Sequence, residues 1–349
     1  MKSTMLNLFV IAALLPLVAC QQSTTETETT FVKKAGIEDY LGHWTIDVDG
    51  GGVGWLEVVQ KEGYVDASLL WKGGSVVPVA NVFLAGNGML YVTRTSPRKR
   101  KIPGSDEERT HMVTNWFEAT SDGEKLSGYL MTPKGNGIGV DSVRFEGVKL
   151  PDAAPAKDLA TLKFGEPIEL FNGKDLTGWK LINEKQVNGF KVVNGALVND
   201  ASHKPGEPSV SYGNLRTVDE FEDFNLTLEV NVPKGSNSGV YLRGIYEIQV
   251  LDSYGKELNS HNMGALYSRI TPTIAAEKPA GEWQTLDITL ADRYVTVILN
   301  GQMIINNQLA YGPTGGALHS DVFAPGPIYL QGDHGTVSFR NLILRPVVK

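Results

Sequence analysis

Asn237-Ser238-Gly239-Val240-Tyr241-Leu242-Arg243-Gly244-Ile245-Tyr246-Glu247-Ile248-Gln249-Val250-Leu251-Asp252 reads as two short strands that meet at a turn near Gly244. Side chains alternate across a strand. Tyr241 and Arg243 therefore share one face of the first strand. Glu247 and Gln249 share one face of the second, opposite Ile248 and Val250. A phenol, a guanidinium, a carboxylate and an amide on a rigid sheet supply the donors, acceptors and acid–base group that a sugar requires. A solvated sheet face alternates in the same way, so the pattern alone leaves both readings open.

The same short alternating runs, separated by Gly, Asn and Asp, fill the rest of the chain. With 38 Gly, 17 Pro and little helical periodicity, they predict an all-β protein. Residues 38–150 read as a small antiparallel β-barrel or sandwich, with strands around 41–48, 54–60, 65–70, 80–85, 89–95, 113–120, 125–131 and 142–146. Trp44, Trp55, Trp71 and Trp116 are expected in its core. The basic run Arg94, Arg98, Lys99, Arg100 and Lys101, beside Pro97 and Pro103, reads as a solvated loop. Residues 151–163, rich in proline, alanine and charge, are the expected linker. Residues 164–349 form a second β unit, a sandwich of two sheets, with Asn194-Gly195 and Asn300-Gly301 as its clearest hairpin turns.

The 32 Lys and Arg against 39 Asp and Glu give a net charge of −7, which argues against a nucleic-acid partner. Residues 1–19 read as an export signal: Lys2, then an apolar core from Leu6 to Leu17. Cys20 is the single cysteine, so neither an internal disulfide nor a cysteine-based metal site is available. Leu17-Val18-Ala19-Cys20 resembles a bacterial lipobox, which implies lipid attachment at Cys20. Residues 20–37 then form a flexible tether, and the expected location is the bacterial cell envelope, on either face of the outer membrane.

Several further motifs lie in order along the second β unit. They are Leu170-Phe171-Asn172-Gly173-Lys174-Asp175-Leu176-Thr177-Gly178-Trp179, then Phe221-Glu222-Asp223-Phe224-Asn225-Leu226 with Glu229 after it. Gly264-Ala265-Leu266-Tyr267, Lys278-Pro279-Ala280-Gly281-Glu282-Trp283 and Gly326-Pro327-Ile328-Tyr329-Leu330-Gln331-Gly332-Asp333-His334-Gly335 follow. With the opening stretch they resemble the 3-keto-disaccharide hydrolase family over residues 164–348. The chain departs from common members in its tight turn at Gly244-Ile245 and in carrying Gln-Gly-Asp-His where many have Gln-Asp-His. The resemblance implies a concanavalin A-like jelly roll acting on glycosides whose C3 hydroxyl has been oxidised to a ketone. It does not cover residues 38–150, whose role stays open.

A C3 ketone acidifies the hydrogen on C2, and its removal lets the C1 substituent leave by β-elimination. Water can then add back to give net hydrolysis. His334 is the first candidate for acid–base work, because imidazole titrates near neutrality, and Glu247 is the competing base. Arg243 is the candidate for stabilising the enolate oxygen. Tyr241, Gln249, Tyr267, Asn237 and Gln331 are candidates for holding the sugar. Glu229, Glu247 and His334 are a candidate set for a divalent metal ion, with His261 in reserve. No nucleotide or flavin motif is present, so a separate oxidoreductase is the expected partner that makes the keto sugar. Two rivals remain. One is a non-catalytic carbohydrate-binding lipoprotein. The other is a laminarinase-like glycosidase using Glu247 and Asp252, which in a regular strand face opposite sides.

Overall fold

The computed structural model describes residues 34–201 and 210–348. The expected signal, Cys20 and most of the tether lie outside the described residues. Nine strands come first: β1 (Gly42–Val48), β2 (Val53–Lys61), β3 (Tyr64–Trp71), β4 (Gly73–Pro78), β5 (Asn81–Leu84), β6 (Leu90–Lys101), β7 (Glu108–Ser121), β8 (Lys125–Pro133) and β9 (Val140–Lys149). They form one antiparallel sheet in the order β4-β3-β2-β1-β9-β8-β7-β6-β5. Its two end strands are consecutive in sequence, and β3 touches β5, so the sheet curls round on itself as a barrel.

The period-2 pattern dictates the interior. Trp44 and Ile46 on β1, Leu56 and Val58 on β2, Leu90 and Val92 on β6, and Phe117 and Ala119 on β7 all point inward and are buried. Tyr40 plugs one end, its hydroxyl donating to Gly88 O at 2.7 Å, while Trp44 Nε1 donates to Tyr40 O at 2.7 Å.

The basic run is a strand, not a loop. Arg94–Lys101 continues β6 and pairs with β7 as far as Glu108. Beyond Thr93 the strand has lost its β5 neighbour, and an edge strand accommodates Pro97. β4, which opens with Gly73-Gly74, has no counterpart among the expected strands.

The remaining strands build the sandwich: β10 (Lys163–Phe164), β11 (Ile168–Glu169), β12 (Trp179–Leu181), β13 (Phe190–Val193), β14 (Ala196–Asp200), β15 (Leu215–Thr217), β16 (Phe224–Asn231), β17 (Asn237–Leu242), β18 (Tyr246–Leu251), β19 (Trp283–Ala291), β20 (Tyr294–Leu299), β21 (Gln302–Leu309), β22 (Tyr329–Leu330) and β23 (Thr336–Val348). One sheet runs β13-β14-β23-β16-β19-β20-β21, with β10 and β11 also on β23, and the other runs β12-β15-β22-β17-β18. Every pairing between these strands is antiparallel, in keeping with the expected all-β jelly-roll sandwich. β16 alternates buried and half-buried without a break, presenting Phe224, Leu226, Leu228 and Val230 to the shared core. Val240, Leu242, Ile248 and Val250 meet them from the other sheet.

The barrel and the sandwich belong to one compact unit. Trp55 is at their contact rather than in the barrel core. Its Nε1 donates to Tyr311 O at 3.1 Å and the Arg269 guanidinium lies 4.3 Å over its ring. The connecting segment lies along the sandwich: Tyr294 donates to Ala154 O at 2.8 Å, and Lys157 Nζ pairs with Asp292 at 2.6 Å.

Candidate active site

β17 and β18 are buried on both faces. Their apolar face enters the core. Their polar face is also withdrawn from solvent: Tyr241 is 1%, Glu247 4% and Gln249 3% exposed. A solvated sheet face does not look like this. The register places Tyr241 opposite Glu247 and Gly239 opposite Gln249, and sets Tyr241 beside Tyr329 on β22. Above them lies a cleft of about 220 Å³ whose lining includes Tyr241, Glu247, Gln249, Tyr267, Asn237 and Gln331. His334 lines it too. Seven of the nine sequence-predicted catalytic, binding and metal-ligating residues therefore meet at one place.

Glu247 is the centre of this cleft. Its Oε2 lies 2.8 Å from the Tyr241 hydroxyl, which is also 2.8 Å from Gly315 O. One hydroxyl hydrogen cannot serve both acceptors. A protonated Glu247 resolves the conflict by donating to Tyr241, which then donates to Gly315 O. Burial favours that form, pushing the carboxyl up to about 7 against the opposing hydrogen bond from Tyr241 and the pull of His334. Space for the carboxyl exists because position 239 is glycine: a Cβ there would collide with Glu247 Oε1. The backbone N–H of Glu247 donates to Thr314 Oγ1 at 2.9 Å, fixing the strand end.

Tyr241 and Tyr329 stack with centroids 3.8 Å apart, and the Tyr329 hydroxyl donates to Gly316 O at 2.9 Å. Burial raises both phenols well above their usual range, so they act as neutral donors.

His334 sits on the loop between β22 and β23, half exposed, with Nδ1 2.6 Å from Asp333 Oδ1. That hydrogen bond raises the imidazole above its ordinary value. Asn199, fully buried, holds the loop by donating to Gly332 O at 3.1 Å and Gly335 O at 2.6 Å. Asn237 Oδ1 and Gln331 Oε1 are buried without a hydrogen-bond partner among the described residues. Gln249 Oε1 accepts the Val250 N–H at 3.1 Å, leaving Nε2 as its donor.

Two predicted residues lie elsewhere. Arg243 is outside the cleft lining because β17 ends at Leu242. It occupies the turn with φ 51°, followed by Gly244 at φ 68°, so strand alternation no longer sets its direction. Its guanidinium lies 5.8 Å over the Tyr246 ring. Glu229 is on β16 in the other sheet, held by Arg340 at 2.6 Å and Asn341 at 2.6 Å. The set Glu229, Glu247 and His334 is therefore not assembled, and among the described residues no three His, Cys, Asp or Glu side chains converge on a metal-sized point. His261 contacts Tyr267 and Ser75. Asp252 accepts the Gly235 N–H at 2.9 Å beyond the end of β18, outside the cleft, so it is not the second carboxyl of a Glu247–Asp252 pair.

Sequence reasoning missed Asp333, Asn214 and Tyr329, and it missed the two glycine pairs Gly73-Gly74 and Gly315-Gly316 that complete the lining. The glycine pairs were visible as pairs; what they touch was not.

A β-sandwich carrying a buried carboxyl, stacked tyrosines and unpaired amides in a ring-sized cleft defines a carbohydrate-active protein. The family model for the 3-keto-alpha-glucoside-1,2-lyase-like domain matches residues 166–345, and the chain belongs to that family. Among solved structures, two from Parabacteroides distasonis, both described as candidate glycosyl hydrolases, are similar. One is 28% identical, covering 56% of this chain and 92% of its own, with a TM-score of 0.42. The other is 24% identical, covering 51% and 92%, with a TM-score of 0.41. A non-specific endo-β-1,3(4)-glucanase of family GH16 is 11% identical, covering 56% and 93%, with a TM-score of 0.34. No curated protein matches the chain.

Proposed function

We propose that this protein cleaves the glycosidic bond of 3-keto-glycosides by proton abstraction at C2 and elimination at C1, with water adding back. The observation that carries the reading is the burial of a polar sheet face around one carboxyl held near neutrality. An acid that is half protonated near pH 7 suits proton transfer to a leaving oxygen.

His334, oriented through Nδ1 by Asp333, takes the C2 proton on Nε2. The electron pair passes into the C3 carbonyl, and the enolate oxygen accepts from the Gln249 amide and the Tyr267 hydroxyl. The enolate then re-forms the ketone as the C1=C2 bond forms and the C1–O bond breaks. Glu247 gives its proton to the departing oxygen, leaving a carboxylate that Tyr241 stabilises by donating to it. In the return step Glu247 takes a proton from water attacking C1, and His334 returns its proton to C2. Asn237 and Gln331 present carbonyl oxygens to the sugar hydroxyls. A separate oxidoreductase supplies the ketone, and attachment at Cys20 holds the protein at the cell envelope.

The test is release of aglycone from a 3-keto-glucoside and from its unoxidised parent. Release from the ketone alone supports the proposal. Equal release from both points to an ordinary glycosidase, and release from neither points to a binding protein.

A further inference from the structure

The β3–β4 corner, residues 72–76 (the turn residue Lys72 and the start of β4), belongs to the barrel, yet it borders the sandwich cleft. Gly73 and Gly74 are part of the cleft lining. Over five residues the corner is fastened to the loops that build the site. Lys72 O accepts the Gly316 N–H at 3.1 Å. Ser75 Oγ is 2.8 Å from His261 Nε2 and 3.4 Å from the Tyr267 hydroxyl. The Val76 N–H donates to Ser268 Oγ at 2.8 Å. Gly74 lies against Gly315 so closely that a Cβ on Gly315 would overlap the Gly74 backbone.

These contacts place the corner on one particular side of the cleft. Gly315 O accepts the Tyr241 hydroxyl, and that hydroxyl is bonded to Glu247. His334 comes in on the β22–β23 loop and its Asp333 partner. The corner therefore stands beside the carboxyl that faces the leaving oxygen. The cleft, at about 220 Å³, is smaller than the roughly 300 Å³ at the lower end of sites for drug-sized ligands. A cleft of that size suits one sugar ring. Gly73 faces open space: a Cβ there meets no atom within 4 Å, and its backbone is not in the left-handed region.

We propose that the β3–β4 corner is the aglycone wall of the site, and that the absence of a side chain at Gly73, the first residue of β4, determines how large a leaving group the enzyme accepts. This rests on the reading of the cleft as a 3-keto-glycoside site. It gives the barrel a role in substrate selection.

The test compares the full chain with Gly73→Ala and Gly73→Phe on methyl 3-keto-α-glucoside and on a 3-keto-glucosyl glucoside. Gly73→Ala is expected to lower kcat/KM for the glucosyl glucoside by less than Gly73→Phe does. Gly73→Phe is expected to lower kcat/KM at least tenfold for the glucosyl glucoside and less than threefold for the methyl glycoside. Equal losses on the two substrates, or no loss on either, overturn the proposal. Melting temperatures are read alongside, and Gly73→Val repeats the comparison with a smaller side chain where Phe lowers them. Calorimetric binding of both compounds reads the wall even where no aglycone is released. A wild-type protein that binds both ligands without turnover refutes the enzymatic reading, whereas Gly73→Phe losing affinity for the larger ligand alone still upholds the wall.

Discussion

Replacing Glu247 with Gln should stabilise the protein in alkali while disabling it. The carboxyl titrates at about 7 in the fold against 4.5 for the free side chain. A raised carboxyl pKa means that the folded state holds its proton more tightly than the unfolded state does. Stability is then highest below pH 4.5, falls as the unfolded chain ionises, and levels off above pH 7. The 2.5-unit gap corresponds to about 3 kcal/mol. At pH 5 the unfolded carboxyl is mostly ionised already and the cost is under about 1 kcal/mol, so about 2–3 kcal/mol should appear between pH 5 and pH 8. Glutamine has no such titration and keeps an amide N–H that can donate to the Tyr241 hydroxyl as the protonated carboxyl does. The stability difference, mutant minus wild type, should therefore grow by that amount across the interval. For a unit of this size, with an unfolding entropy near 2 cal/mol/K per residue, that is a shift of about 4 °C in melting temperature. Paired thermal melts at pH 5 and pH 8 read it directly. Taking the change between two pH values cancels any fixed offset from the substitution itself. A difference that stays constant within about 0.5 kcal/mol would refute the assignment of a buried, neutral-range carboxyl. In the same preparation, loss of the acid should lower kcat by roughly 10²- to 10⁴-fold.

His334→Ala should lower kcat by a similar factor with little change in melting temperature, because the side chain is half exposed; an unchanged kcat would remove it from the mechanism. Activity should fall on both sides of neutrality, as His334 gains a proton in acid and Glu247 loses one in base. Asp333→Asn removes the carboxylate charge that helps raise His334, so the acid limb of the kcat/KM profile should move to lower pH, and a fixed limb would contradict the pairing. Asn199→Ala strips two carbonyls of their donor inside the fold and should cost about 2–3 kcal/mol in denaturant unfolding, with a fall in activity as the loop loosens. Glu229→Gln should leave kcat and KM unchanged; a large loss would return this residue to the site.

The hairpin at the centre of the site was legible because alternation needs only a strand, and Tyr241, Glu247 and Gln249 do share a face. Arg243 failed where the strand failed: a positive φ at the residue after Leu242 breaks the period. Glu229 failed differently. It lies on the outer side of an alternating strand, but alternation tells which face a side chain takes, not which sheet the strand joins. The basic run was read as a loop from its prolines, although an edge strand tolerates them. The barrel corner had no local signal at all. Gly73-Gly74 and Gly315-Gly316 are some 240 residues apart in the chain, and nothing in either pair announces the other.

Unpaired buried polar atoms are costly, at about 1–3 kcal/mol each, and the cleft lining carries two of them. Asn237 Oδ1 and Gln331 Oε1 lack partners among the described residues, and buried Glu247 is satisfied only by carrying a proton. A sheet selected only to fold would place valine or leucine at these positions, as it does on the opposite face of the same strands. The arrangement is tolerated because its supports are rigid. Three side chains stand on paired strands, Asn199 clamps the His334 loop, and the barrel corner holds the loop whose carbonyls receive both tyrosines. A sugar that brings hydroxyls to Asn237 and Gln331 supplies the missing partners, so the energy withheld in folding becomes available in binding. The same accounting explains why the site spans both β bodies: a loop of glycines is freely deformable, and only contact with a second framework fixes Gly315 and Gly316 where Tyr241 and Tyr329 need them.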